Sequence, residues 1–235
     1  MDIVIGVLLI IVLYFGSHQM VKRRQRRREK FLDSYRFHPQ IREKVAARHP
    51  HLQPSQLDEV MEGMRDYFRF CLQARKRMVS MPSQVVDDAW HEFILFTRSY
   101  QLFCLKAFGR FLHHTPAVVM KSPTQAQEGI QRAWRLACHH EKLSPKYPAR
   151  LPRLFALDGQ LKIVNGFTYS IDCKNKSSPN YGDGYCASHI GCSSGCGGDS
   201  GSSSADTGGF FSGSDSDSGG SSDSGGCGGG CGGGD

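Results

Sequence analysis

The sequence predicts a mainly α-helical protein with four parts: an N-terminal single transmembrane helix, a compact helical domain, a small β-hairpin at that domain's C-terminal end, and a disordered Gly/Ser/Cys-rich tail. Three observations predict it. The first twenty residues are mostly apolar, and the middle carries apolar residues at three- and four-residue steps. From Gly191 onward the chain is nearly all Gly, Ser, Asp and Cys, with Ala205, Thr207, Phe210 and Phe211 as the exceptions. The 235 residues therefore divide into an anchor (1–21), a basic juxtamembrane stem (22–31), a helical domain (32–173) and the tail (174–235). Roughly 130 to 150 residues remain for a core, about the size at which a single domain becomes comfortably stable.

The anchor reads IVIGVLLIIVLYFG from Ile3 to Gly16 and reaches nineteen residues with Ser17 to Val21. As a helix that is about 28 Å, against a hydrocarbon layer of about 30 Å. A secretory signal peptide fits less well: Asp2 precedes the apolar run where Lys or Arg belongs, and no A-x-A-like cleavage site follows. Next come Lys22, Arg23, Arg24, Arg26, Arg27, Arg28 and Lys30. Lys and Arg stay on the cytoplasmic side, which predicts a plasma or inner membrane protein with its N-terminus outside and its body in the cytoplasm. The same cluster suits anionic lipid headgroups at about 1 kcal/mol per charge. The net charge of +7 hides a split, since residues 177–235 hold seven Asp and no Lys, Arg or Glu, which leaves +14 on the rest. Nucleic acid ranks well behind the membrane as a partner, because a basic run touching an apolar helix already has a sufficient explanation.

In the domain, a short helix is expected over Gln40–Ala47, before the HPHLQP break. A long one follows over Gln53–Arg77, with Leu57, Val60, Met61, Met64, Tyr67, Phe68 and Cys71 on one face and Ser55 and Asp58 spaced as a capping box. Ser83 can cap the next, whose stripe runs Val86, Trp90, Phe93, Thr97, Tyr100, Cys104. Such a stripe is core far more often than cofactor site, so Trp90 and Tyr100 are packing residues whose N–H and O–H find partners. A further helix is expected from Thr124 to His140, then Pro145, Pro148 and Pro152 leave room for a short turn at Leu154–Leu157. Asn165-Gly166 between two β-prone runs suits a type I′ hairpin turn. No phosphate-binding glycine loop, nucleophile elbow or HExxH is present in this body.

Asp87 and His91 are four apart and neighbours on one helical face. The carboxylate can fix the imidazole tautomer, as a general base or metal ligand needs, or the two can form an ordinary stabilising pair. Cys104 is about 140° round a straight helix from His91, so the two share no metal without a kink. His113 and His114 reach His91 only if the chain reverses near Gly109. Without that reversal they close a helix before Pro116, as His139 and His140 close the next.

Val86-Asp87-x-x-Trp90-His91, followed by Tyr100, Cys104, Phe108-Gly109 and His113, resembles the core motif of the glycine-rich-domain-containing proteins of plants and bacteria. The likeness covers about Arg42 to His140, with the tail alike in composition. The resemblance implies a relative without implying a reaction, and the family's second histidine two places past the Trp-His pair is Phe93 here.

The tail offers a second ligand set, Cys186, His189, Cys192 and Cys196, at spacings unlike those of most structural zinc sites. Nine cysteines is an odd number, which agrees with a reducing cytoplasm rather than a paired disulfide framework. Two functions follow. The first is a non-enzymatic, membrane-anchored adaptor that meets a protein partner through its tail. The second is a metal-binding protein or metal-dependent enzyme, with zinc or another divalent ion at Asp87, His91, His113 and His114.

Overall fold

A computed structural model of the chain describes residues 2–114, 123–171, 185–186 and 190. Its elements are α1 (Asp2–Ser34), α2 (Pro39–Arg48), α3 (Pro54–Ala74), α4 (Gln84–Leu95), α5 (Thr97–Phe108), α6 (Pro123–His140), α7 (Arg153–Gln160), β1 (Tyr169–Ser170) and β2 (Tyr185–Cys186). Helices dominate, as the sequence predicts.

The first helix, α1, is long and apolar enough to cross a membrane. No boundary separates anchor from stem, because all 33 residues form one helix whose last turns pack on the body. Leu32 is buried, and the Phe31 ring lies 5.9 Å from that of Phe103.

At the centre stands α3, buried around most of its circumference. Pro54 opens it, with the Gln56 Oε1 accepting from the Gln53 N–H at 2.8 Å. The Ser55/Asp58 capping box is therefore corrected: Ser55 lies inside the helix, and Asp58 pairs with Arg42 at 2.7 Å. The helix stops at Ala74 because Arg75 takes a positive φ of 59°. Gly63 lets α4 and α7 close on α3, since a Cβ there would meet Leu157 Cδ1 at 2.6 Å and Val86 Cγ2 at 3.1 Å. Around Phe68 gather Tyr35, Phe37, Phe93 and Phe103, with Phe68 and Phe103 centroids 4.9 Å apart and Tyr35 and Phe103 4.7 Å apart. Edge-on and tilted pairs of this kind add about 1 kcal/mol each beyond their buried area.

The expected single stripe is split. Phe96, with ψ at 57°, breaks the helix between α4 and α5. Val86, Trp90, Phe93, Tyr100 and Cys104 remain buried, whereas Thr97 is turned to solvent because the break shifts the helical phase. Gly109 ends α5 in the left-handed conformation (φ 70°), as its position predicts.

Buried Asp158 of α7 holds the start of α4. Its Oδ1 accepts from Ser83 Oγ (2.7 Å) and the Val85 N–H (3.3 Å), and its Oδ2 from the N–H groups of Gln84 (2.6 Å) and Phe167 (2.8 Å). A carboxylate at a helix N-terminus satisfies orphan donors and suits the dipole. The same contact explains why no hairpin forms at Asn165-Gly166. Asp158 draws Phe167 back onto α7, and a Cβ on Gly166 would meet Asp158 Cβ at 2.8 Å, so the segment wraps a helix end instead of starting a ladder. The strand pairing that exists is parallel, Tyr169 with Tyr185 and Ser170 with Cys186. Of the tail, only 185–186 and 190 fall among the described residues.

Asp158→Ala strips the acceptor from three donors at the head of α4. Thermal or urea unfolding of the detergent-solubilised chain should show a loss of about 3 kcal/mol, more than a local cap alone provides.

Candidate metal centre

Two adjacent aspartates on α4 face opposite ways. Asp88 turns towards α2, where its Oδ2 lies 2.8 Å from His49 Nε2 and its Oδ1 2.8 Å from Arg48 Nη1. Asp87 turns towards the segment after α5. The ring of Trp90 is buried in the core, and its Nε1–H donates to Tyr100 Oη at 3.1 Å. The hydroxyl in turn donates to the Leu112 carbonyl at 2.5 Å. Burial pushes the Tyr100 hydroxyl well above its usual range, so it stays a neutral donor.

This chain of two hydrogen bonds brings residues 110–114 back along α5. Exposure alternates across the segment, with Phe111 and His113 outward and Leu112 and His114 inward. His114 Nε2 meets Asp87 Oδ1 at 2.9 Å, and its ring stands edge-on to Trp90 at 4.5 Å and tilted to His91 at 4.3 Å. His91 Nδ1 is 3.5 Å from Asp87 Oδ2. One ligand atom from each of Asp87, His91 and His114 therefore lies within 4.8 Å of the others. In a tetrahedron with bonds of 2.0–2.2 Å, ligand atoms are about 3.3–3.6 Å apart, so small side-chain adjustments suffice.

Of the residues singled out by sequence, Asp87, His91 and His114 come together, with Trp90 as their wall and Tyr100 as their tie. His113 is excluded: its ring packs 4.8 Å from Phe111, because consecutive residues of a non-helical segment point apart. Cys104 is fully buried and its thiol is pushed up by burial, which makes it a packing residue rather than a ligand. His189, Cys192 and Cys196 lie outside the described residues, as does the side chain of Cys186.

The sequence reading missed three buried carboxylates, Asp66, Asp88 and Asp158. Asp66 meets Arg69 at 2.5 Å, Arg153 at 3.3 Å and His140 at 3.5 Å. Burial raises its pKa while Arg153, Arg69 and His140 pull it back. Arg48 and His49, the last residue and the C-cap of α2, are the partners of Asp88 and lie about forty residues before it, beyond the reach of any local pattern. Asp158 is the same case, since its partners lie 73 to 75 residues earlier in the chain, apart from Phe167.

Residues 27–190 match the UCP032817-like family. The chain belongs to that family. The matched stretch includes every member of the cluster and begins within α1 where that helix starts to pack on the body, so this UCP032817-like domain carries its own docking turn. The likeness to glycine-rich-domain-containing proteins rests on the motif alone. No curated protein and no solved structure matches the chain.

Tyr100→Phe removes one hydroxyl and, with it, the tether of Leu112. Amide exchange of residues 110–114 should rise several-fold while the interior of α3 is unchanged, at a global cost of about 1–2 kcal/mol.

Proposed function

We propose that this protein is a membrane-anchored helical domain that binds a divalent transition metal through Asp87, His91 and His114. The observation that carries the reading is the return of His114 onto Asp87, 27 residues earlier in the chain. Two imidazoles and one carboxylate form a ligand set that suits zinc and leaves a coordination position open. His91 is the exposed member, at 45% of its side-chain surface against 19% for Asp87 and 14% for His114, so the cluster opens to solvent on its His91 side. A divalent ion held there would supply a Lewis acid. The chain's own part is to place the ligands: α4 sets Asp87 and His91 one turn apart, the Tyr100–Leu112 hydrogen bond brings His114 to them, and Trp90 shields one side of His114.

The adaptor is the second reading. A cleft bordered by Ser55, Glu59, Arg150, Arg153, Gln160 and Tyr169 lies apart from the metal cluster, which favours a binding role separable from any chemistry. The motif likeness to glycine-rich-domain-containing proteins, and a tail that meets a protein partner, belong to this proposal. In both readings α1 is the anchor, with the N-terminus outside and the body in the cytoplasm, on the strength of the arginine-rich flank.

Metal analysis of the purified full chain should find about one zinc, kept by His113→Ala and lost from His91→Ala and His114→Ala. Zinc retained in the last two would move it to the tail cysteines and end this reading. For topology, protease added to intact cells should leave the C-terminus uncut; digestion there would reverse the orientation.

A further inference from the structure

Three segments distant in sequence meet at the same level along α1. The first step is the direction of α5, which runs antiparallel to α1: Phe103 meets Phe31 at 5.9 Å, Lys106 Nζ lies 5.9 Å from the Phe31 ring centre, and Arg28 packs against Gly109 so closely that a Cβ there would sit 2.1 Å from Nη2. The second is α3, which runs parallel to α5: Phe68 meets Phe103 at 4.9 Å, and Arg110 Nη2 donates to the Arg75 carbonyl at 2.7 Å. Both helices therefore end at the level of Arg28, pointing towards the apolar half of α1.

Arg28 is seven residues past Val21, about 10 Å along the helix. The headgroup layer extends about 5–8 Å beyond the hydrocarbon on each side. Extended Lys and Arg side chains cover the remaining gap.

We propose that this base of the domain, formed by Arg28, Arg75, Lys76, Arg77, Lys106 and Arg110, is a docking plate for anionic phospholipid headgroups. The folded body, and not the stem alone, lies on the bilayer; this rests on α1 being the anchor. Cations at helix C-termini also serve the dipole, and Arg110 does so at Arg75. Lys76 and Arg77 go beyond that role, because both are exposed and, among the described residues, none of the six cations has a carboxylate within ion-pair distance. Arg132 of α6, held below the usual guanidinium range by burial first and then by Arg77 and Arg135, with Glu128 at 3.8 Å pulling the other way, borders the plate on the Arg77 side. Leu105 and Phe111, half-exposed beside Lys106 and Arg110, add an apolar edge suited to the interface.

The test is hydrogen exchange on the full chain in nanodiscs, zwitterionic phosphatidylcholine alone against phosphatidylcholine with phosphatidylglycerol, with residues 60–72 as internal reference. In the anionic discs, amides of 75–77 and 109–111 should exchange at least about fivefold more slowly, the ratio to which a single cation's ~1 kcal/mol corresponds. The Lys76→Gln/Arg77→Gln variant should lose most of that difference. Equal exchange in the two discs overturns the plate while leaving the anchor standing. Equal protection by duplex RNA added to zwitterionic discs overturns it in favour of nucleic acid. A chain that stays out of both discs overturns anchor and plate together.

Discussion

The hydroxyl of Tyr100 is the constraint on which the candidate site depends. It accepts from the Trp90 indole and donates to the Leu112 carbonyl, joining α4, α5 and the segment after α5 at one buried oxygen. Gly109 turns the chain around, but a glycine only permits a reversal and does not aim it. The aim comes from Tyr100. Fixing Leu112 leaves only His113 between it and His114, and the alternation of inward and outward side chains then turns His114, and not His113, onto Asp87. A buried carbonyl left without its donor would cost about 1–3 kcal/mol, so the tether holds the segment as well as directing it.

The rest of the body is tied by buried carboxylates. Asp158 joins α7 to the start of α4, Asp88 joins α4 to α2 through Arg48 and His49, and Asp66 joins α3 to α7 and α6 through Arg153 and His140. Each accepts several hydrogen bonds, which is the condition for keeping such a group inside a fold. Their common effect is on register. Apolar faces pack in several nearly equivalent ways, whereas a charged pair has one geometry. Two of the three act on α4, so the helix that carries Asp87 and His91 is held at its N-terminus and along the side facing α2.

What the sequence made legible was local. The steps of Leu57, Val60, Met64 and Phe68 located α3, Ser83 marked the start of α4, and Gly109 marked the end of α5, because each signal lies within one or two helical turns. The break at Phe96 was hidden, since the spacing of apolar residues continues across it and only Thr97 falls out of phase. Asn165-Gly166 misled for the opposite reason. Its turn preference is genuine, as the positive φ of 61° at Asn165 shows, but Asp158 claims the following N–H before a ladder can begin. At the site, Asp87 and His91 were visible as a pair on one face. The third member depended on a reversal the sequence only permitted, and choosing between His113 and His114 required the Tyr100 tether.

The antiparallel packing of α1 and α5 also fixes how far the site stands from the apolar half of α1. Gly109 is level with Arg28, and Tyr100 lies nine residues back along α5, about 13 Å farther from the apolar half of α1. The Asp87, His91 and His114 cluster sits at the level of Tyr100, so a bilayer around that apolar half leaves it some 20 Å above the hydrocarbon. Nothing embedded in the lipid tails reaches that height. Because α1 continues without a break into a packed body, a swinging linker does not lower it either. With a bilayer there, whatever meets His91 arrives through water, and the length of α1 sets the height at which it does so.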